Sequence, residues 1–284
     1  MSVGLVLEGG AMRGMYTAGV LDVFLDNGIK ADTVIGVSAG AVFGINFLSE
    51  QRGRVIRYNK QFVGDSRYMG LKSLIKTGDI INKEFAYYQV PAKYDVFDDE
   101  KFKRSDTDFY AVVTNIESGK AEYIKIDSTF EQTEILRASA SLPYVSKAVE
   151  INGKKYLDGG LADSIPVDKC MKIGLNKIIL VLTRPLDYRK KEGRSAKHLL
   201  AKAVYRKYPE LIKCMNTRNK RYNQCVEKII ELEKQKKIFV IRPSRTVKLG
   251  RMETDKEKLQ EMYDLGVRDG KKRIGEMLEF LSDK

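Results

Sequence analysis

The chain has 284 residues, 43% of them hydrophobic, which excludes disordered and fibrous classes and leaves material for one large core or two small ones. Three cysteines (Cys170, Cys214, Cys225) and one histidine (His198) exclude a disulfide framework and a histidine-rich zinc site, and no metal or organic cofactor is expected. The net charge is +13 and uneven: residues 1–186 hold 24 Lys/Arg and 23 Asp/Glu, residues 187–284 hold 27 and 15, so the basic excess lies in the last third. Such asymmetry suits either a polyanionic partner or a solvated basic face.

In chain order, Gly4-Leu5-Val6-Leu7 reads as a buried parallel strand, followed by the glycine-rich turn Glu8-Gly9-Gly10-Ala11-Met12-Arg13-Gly14. Apolar residues from Met15 to Leu25 then recur at helical spacing up to a stop at Asn27-Gly28. Thr33-Val34-Ile35 is a second strand, Gly36-Val37-Ser38-Ala39-Gly40 a second turn, and Ala41 to Leu48 a second helix. Strand-helix-strand-helix order predicts an α/β fold with a mostly parallel sheet between helices. Residues 50–107 are polar and tyrosine-rich and read as a cap insertion. Phe109–Thr114 and Ala121–Ile126 form a hairpin through Glu117-Ser118-Gly119. Glu131–Ala138 reads as a helix, and Asn152-Gly153 marks a second hairpin that runs into Asp158-Gly159-Gly160. Lys177–Leu182 and Ile238–Ile241 read as further strands. The remainder is helical, with Pro209 interrupting one helix and a capping box at Thr254-Asp255-Lys256-Glu257 opening the last. The expected division is an α/β domain over residues 1–185 with a basic, mostly helical C-terminal extension over 186–284 packed on it.

The first basic residue is Arg13, and the longest uncharged run, Thr33 to Ser49, is short and polar for a membrane span. A cytoplasmic protein is the expectation.

Gly36-Val37-Ser38-Ala39-Gly40 fits G-x-S-x-G. Small flanking residues (Gly36, Gly40) allow a sharp strand-to-helix turn that leaves the serine oxygen exposed at a helix N-terminus. The loop Gly9 to Gly14 lies between a strand and a helix in the same way, and its N–H groups suit an anion. The competing dinucleotide fingerprint wants an acidic residue at the end of the second strand, where this chain has a serine turn instead. Two such turns side by side point to acyl transfer, one supplying a nucleophile and the other oxyanion donors. The base is then either His198, inside a basic helical stretch, or Asp158, at a strand end beside Gly159 and Gly160. The latter position aims a side chain into a cleft.

The ordered set of Glu8–Gly14, Gly36–Gly40 and Asp158–Gly160 resembles the patatin-like phospholipase family. Ala138-Ser139-Ala140-Ser141-Leu142-Pro143 also resembles that family's block ahead of its aspartate. The resemblance covers about residues 3–185 and implies a serine lipid acyl hydrolase. In it Ser38 is the nucleophile, Asp158 the base, and Gly9, Gly10, Ala11, Arg13 and Gly14 form the oxyanion loop. Ala11 stands where the family has a third glycine, and its Cβ narrows the allowed backbone angles. The order of motifs also differs from an ordinary α/β-hydrolase, whose serine turn comes after several strands.

The expected substrate is a lipid or acyl ester. The alternative is a non-catalytic module for anionic lipid or nucleic acid, although no nucleic-acid-binding module is recognisable and no nucleic-acid partner is expected. Residues 189–221 carry 12 Lys/Arg against Glu192 and Glu210, with an apolar stripe at Leu199, Leu200, Ala203 and Val204, and suggest contact with an anionic membrane surface.

Overall fold

The structure, a computed structural model, describes residues 2–192 and 196–283, and only the backbone of 196–198. Its centre is a sheet in which five strands run parallel: β3 (Asp108–Asn115), β2 (Thr33–Val37), β1 (Val3–Leu7), β7 (Lys177–Val181) and β8 (Phe239–Ile241), in that spatial order. β4 (Ala121–Lys125), β5 (Val149–Ile151) and β6 (Lys154–Asp158) complete it with antiparallel pairings. Asn152 and Gly153 both have positive φ, +50° and +75°, as a type I′ turn between β5 and β6 requires.

Both sheet faces are covered, which explains why the central strands read as unbroken apolar runs. Leu5, Leu7, Val34 and Ile179 face α1 (Gly14–Asp26), α2 (Ala39–Leu48) and α10 (Lys256–Ser282). Val6, Ile35, Ile178 and Leu180 face α7 (Val167–Ile173) and α9 (Pro209–Lys234). The period-2 alternation of β1 therefore distributes one strand between two cores.

The last third of the chain is built into these layers. β8 extends the sheet, α9 covers one face and α10 packs along α1 on the other. Gly19 and Gly266 mark the α1–α10 crossing: a Cβ on Gly266 would press against the carbonyl of Tyr16, and one on Gly19 against the backbone of Tyr263 and Val267. Glycine at both positions is a requirement of close approach, not of turn geometry.

Residues 50–107 fold as α3 (Arg54–Phe62), α4 (Leu71–Thr77), a π-helical stretch over Glu84–Tyr94 that contains Pro91, and α5 (Asp99–Lys103). The helix read over Glu131–Ala138 is α6 (Thr133–Ser139). Pro209 starts α9 instead of interrupting a helix; α8 (Ala196–Val204) ends before it, because proline suits the first helical turn, where no N–H is needed. The last helix is capped by Asp255, one residue after the expected Thr254, its carboxylate accepting from the N–H groups of Glu257 and Lys258. Among the described residues no helix is long and apolar enough to cross a membrane.

Candidate active site

Strand register brings the two candidate catalytic residues together. β4 occupies one edge of β3 over Tyr110–Thr114. β2 and β6 therefore share the other edge, β2 pairing up to Val37↔Val112 and β6 from Asp158↔Val113 onward. They run in opposite directions, so their C-terminal ends meet head to head. Ser38 follows one end and Asp158 closes the other.

Ser38 Oγ donates to Asp158 Oδ2 at 2.6 Å, and the other carboxylate oxygen, Oδ1, accepts from the Gly160 N–H at 2.7 Å. Ser38 sits at φ 54°, ψ −120°, a conformation that costs a non-glycine residue about 1–3 kcal/mol. Its surroundings hold it there. The Ser38 N–H donates to Ser139 Oγ (2.9 Å), which donates in turn to the Val112 carbonyl (2.7 Å). Two residues on, the Ser141 carbonyl accepts from the Asp158 N–H at 2.8 Å. The segment Ala138–Pro143 thus fixes the backbone of both partners, a role that its sequence signalled only as a family resemblance. Gly36 is the last residue of β2 paired with β1, Gly40 lies in the first turn of α2, and Gly159 follows Asp158 directly.

The Gly9–Gly14 loop lies against this pair. A Cβ on Gly9 would stand 2.9 Å from that of Ser38, so only glycine lets the loop approach so closely. The N–H groups of Gly10 and Ala11 have no hydrogen-bond partner among the described residues. Ala11 adopts φ +49°, the left-handed region that a glycine would occupy without strain. Gly14 opens α1. Arg13 lines the cleft above Ser38, its Nε buried without a partner, and burial together with nearby Arg184 pushes its pKa down to about 10.

Burial raises the Asp158 pKa above the ordinary aspartate value, opposed by the Ser38 hydroxyl, Arg218 and the Gly160 N–H. Burial that disfavours the charged form makes a carboxylate better suited to accept a proton. His198 lies in the backbone of α8, and its side chain is outside the described residues.

A family model described as patatin-like phospholipase matches residues 5–171. The chain belongs to the patatin-like phospholipase family. A second model, described as a domain of unknown function, matches residues 208–282. Over 99% of its length the chain is 24% identical to the uncharacterized protein YjjU of Escherichia coli K12, of which it covers 80%. Over 66% of its length it is 28% identical to lysophospholipase nte1 of Aspergillus niger, spanning 12% of that protein. Over 59% it is 26% identical to a probable lipid hydrolase, 463L, of Invertebrate iridescent virus 6, spanning 63% of it. The patatin-like part carries both halves of the Ser38–Asp158 pair.

The cleft above that pair is also lined from outside the patatin-like match. Arg184, Tyr188 and Lys190 follow β7, Arg218 and Tyr222 stand on α9, and Arg251 precedes α10. Glu8 ties these parts together, accepting from the Thr183 N–H (2.6 Å), the Thr183 hydroxyl (3.1 Å) and the Tyr222 hydroxyl (3.0 Å). The sequence reading missed these cleft residues. Their only signal was the basic excess of the last third, which a solvated face would produce equally well.

Proposed function

We propose that the protein is a serine lipid acyl hydrolase working through a Ser38–Asp158 dyad. The observation that carries this reading is the 2.6 Å hydrogen bond from Ser38 Oγ to a buried carboxylate, made from a strained strand-to-helix turn. Asp158 takes the proton of Ser38 as Oγ attacks the acyl carbonyl carbon. The resulting oxyanion lies over the Gly9–Gly14 loop, where the N–H groups of Gly10 and Ala11 stabilise it and the Arg13 charge adds to their field. Collapse expels the alcohol, which leaves with the proton from Asp158, and the acyl group remains on Ser38. Water then repeats the sequence with Asp158 as base, releasing the fatty acid and restoring Ser38. Neither half of the cycle calls on a metal or an organic cofactor.

A mostly apolar pocket supports a fatty acyl substrate. Its lining includes Val42, one helical turn beyond Ser38 on α2, together with Ile45, Leu136 and Ala86, Val90 and Phe97 from the inserted segment. In this reading residues 50–107 cap the acyl chain. Contact with an anionic lipid surface is assigned to the 189–221 region, as the exposed Leu199 and Leu200 and the neighbouring Lys202, Arg206 and Lys207 suggest.

The test is labelling with a fluorophosphonate probe followed by mapping of the modified residue. Stoichiometric modification of Ser38, abolished in Ser38→Ala, is expected. A folded protein that leaves Ser38 unlabelled while hydrolysing esters would overturn the dyad.

A further inference from the structure

The cleft over Ser38, about 570 Å³ to its open mouth, is lined by five cations: Arg13, Arg184, Lys190, Arg218 and Arg251. Among the described residues only two carboxylates line it with them, Glu8 and Asp158, and both are already committed to hydrogen bonds within the protein. Among the described residues none of the five cations forms an ion pair. Elsewhere in this chain surface arginines pair readily, as Arg52 does with Asp26 and Arg189 with Glu227.

The fold spends specific contacts on holding these charges in place. Asn223 clasps the main chain of Lys190 on both sides, accepting from its N–H (2.8 Å) and donating to its carbonyl (2.9 Å). Asn219, one helical turn earlier on α9, donates to the Lys191 carbonyl at 2.7 Å. The Lys190 ammonium lies 3.5 Å from the Tyr222 ring centre, and the Arg184 guanidinium 4.1 Å from that of Tyr188. Arg218 donates from Nε to the Gly160 carbonyl, next to the dyad. Burial and then Arg218 push the Lys190 pKa down to about 6, so its amine gains full charge when an anion joins the cluster, and burial lowers the pKa of Arg218. Like charges gathered out of water are unfavourable unless an anion completes them.

An acyl-transfer oxyanion carries a single charge and has the loop N–H groups as donors. Five cations exceed that need. Val42, one helical turn beyond Ser38 on α2, lines the apolar cavity, so an acyl chain directed there would leave the alcohol of the ester in the cationic cleft. Guanidinium forks with a lysine point charge match phosphate oxygens.

We propose that this cleft is a phosphate subsite, in which Arg13, Arg184, Lys190, Arg218 and Arg251 bind a dianionic phosphomonoester on the leaving alcohol. The preferred substrates are then acyl esters of a phosphorylated alcohol, ahead of those with a zwitterionic headgroup. This assignment rests on Ser38 being the nucleophile, and it gives the C-terminal third a part in substrate selection.

The first test compares 1-acylglycerol 3-phosphate with 1-acylglycerophosphocholine of equal chain length. Wild type should favour the former at least tenfold in kcat/KM. That ratio should fall about tenfold in Lys190→Met and in Arg251→Gln, and should stay at the wild-type value in Arg268→Gln, an exposed position on α10 outside the cleft. Arg251 is exposed, so its variant tests the idea even if the Lys190 variant does not fold. A wild-type ratio near one, or a ratio that neither variant moves, would overturn the proposal. The second test measures binding of glycerol 3-phosphate and of inorganic phosphate to the Ser38→Ala protein by calorimetry. Glycerol 3-phosphate should bind and should weaken about tenfold with Arg251→Gln. Absence of binding overturns the subsite. Binding of both anions without discrimination between the lipids would make it a site for free phosphate and overturn the substrate assignment. These binding readouts need no turnover, so they stand apart from any failure of Ser38 to react with the fluorophosphonate.

Discussion

Asp158 keeps only 3% of its surface exposed, and its charge is held by one hydroxyl, one backbone N–H and the field of Arg218. A carboxyl whose folded-state pKa is raised binds its proton more tightly in the folded state than in the unfolded chain. Its ionisation therefore lowers stability as pH climbs from the unfolded value, about 3.9, through the higher folded one. Asp158→Asn keeps an acceptor for the Gly160 N–H and removes that charge. The expected outcome is a loss of kcat/KM of about a thousandfold or more, with a Tm at pH 7 equal to or above wild type. The Tm advantage should vanish below about pH 3.9, where the unfolded chain also holds the proton. Melting curves across that range test it, and a clearly lower Tm at pH 7 would contradict the burial argument. Ala11 is the second residue in tension with its place. At φ +49° its Cβ costs about 1 kcal/mol, and Ala11→Gly should raise the urea midpoint correspondingly while leaving Ser38 reactive toward a fluorophosphonate. An unchanged midpoint would mean that the loop relaxes around the methyl group. Both catalytic candidates were legible in sequence because their turns are local: Gly36 and Gly40 around Ser38, and Gly159 and Gly160 after Asp158, are needed within a few residues of the group that they serve. Of the cleft cations only Arg13, inside the glycine-rich loop, was legible. Whether Arg218 faces solvent or Ser38 depends on the phase of α9 against the sheet, which no local pattern records.

Among the elements, the short strands and the hairpin turns followed from apolar runs and from Asn152-Gly153, yet the meeting of β2 and β6 did not. That junction depends on β4 filling the opposite edge of β3, a long-range competition for hydrogen bonds. The π-helical stretch over Glu84–Tyr94 was equally silent, since its apolar residues have no α-helical period and Pro91 argues against a helix. The α1–α10 crossing yields the clearest prediction at this scale. Gly266→Val drives a branched side chain into the Tyr16 carbonyl across the interface. Overpacking of this kind typically costs about 1–3 kcal/mol, and backbone contact places it at the upper end. A urea midpoint lowered to match is the expected result. A midpoint within error of wild type would show that the two helices separate at little cost. Because α1 begins at Gly14, directly after the Arg13 loop, such loosening should also reduce activity before global unfolding.

For the whole molecule, the basic excess of the last third divides into two populations. Lys190 and Arg218 turn into the cleft, while Arg189 pairs with Glu227 and Arg221 donates to the carbonyls of Leu161 and Cys214. Other exposed cations are spread along α9 and α10, and those on and after α8 differ in standing beside exposed apolar side chains, with Leu199 71% and Val204 53% exposed next to Lys202, Arg206 and Lys207. Each such cation near an anionic bilayer contributes about 1 kcal/mol, fading over a Debye length of about 8 Å at physiological salt. A patch this small gives reversible attachment, strengthened by leucines entering the interface. The protein is therefore expected to co-sediment with vesicles containing phosphatidylglycerol at low salt, to detach as salt rises, and to ignore purely phosphatidylcholine vesicles. A Leu199→Ser, Lys202→Gln, Lys207→Gln variant should lose most of this binding while Ser38 reacts with a fluorophosphonate as in wild type. Equal binding to both vesicle types, or binding that the triple variant retains, would leave α8 as a solvated helix and move the membrane contact elsewhere, with α4 and its exposed Leu71 and Ile75 the next face to substitute.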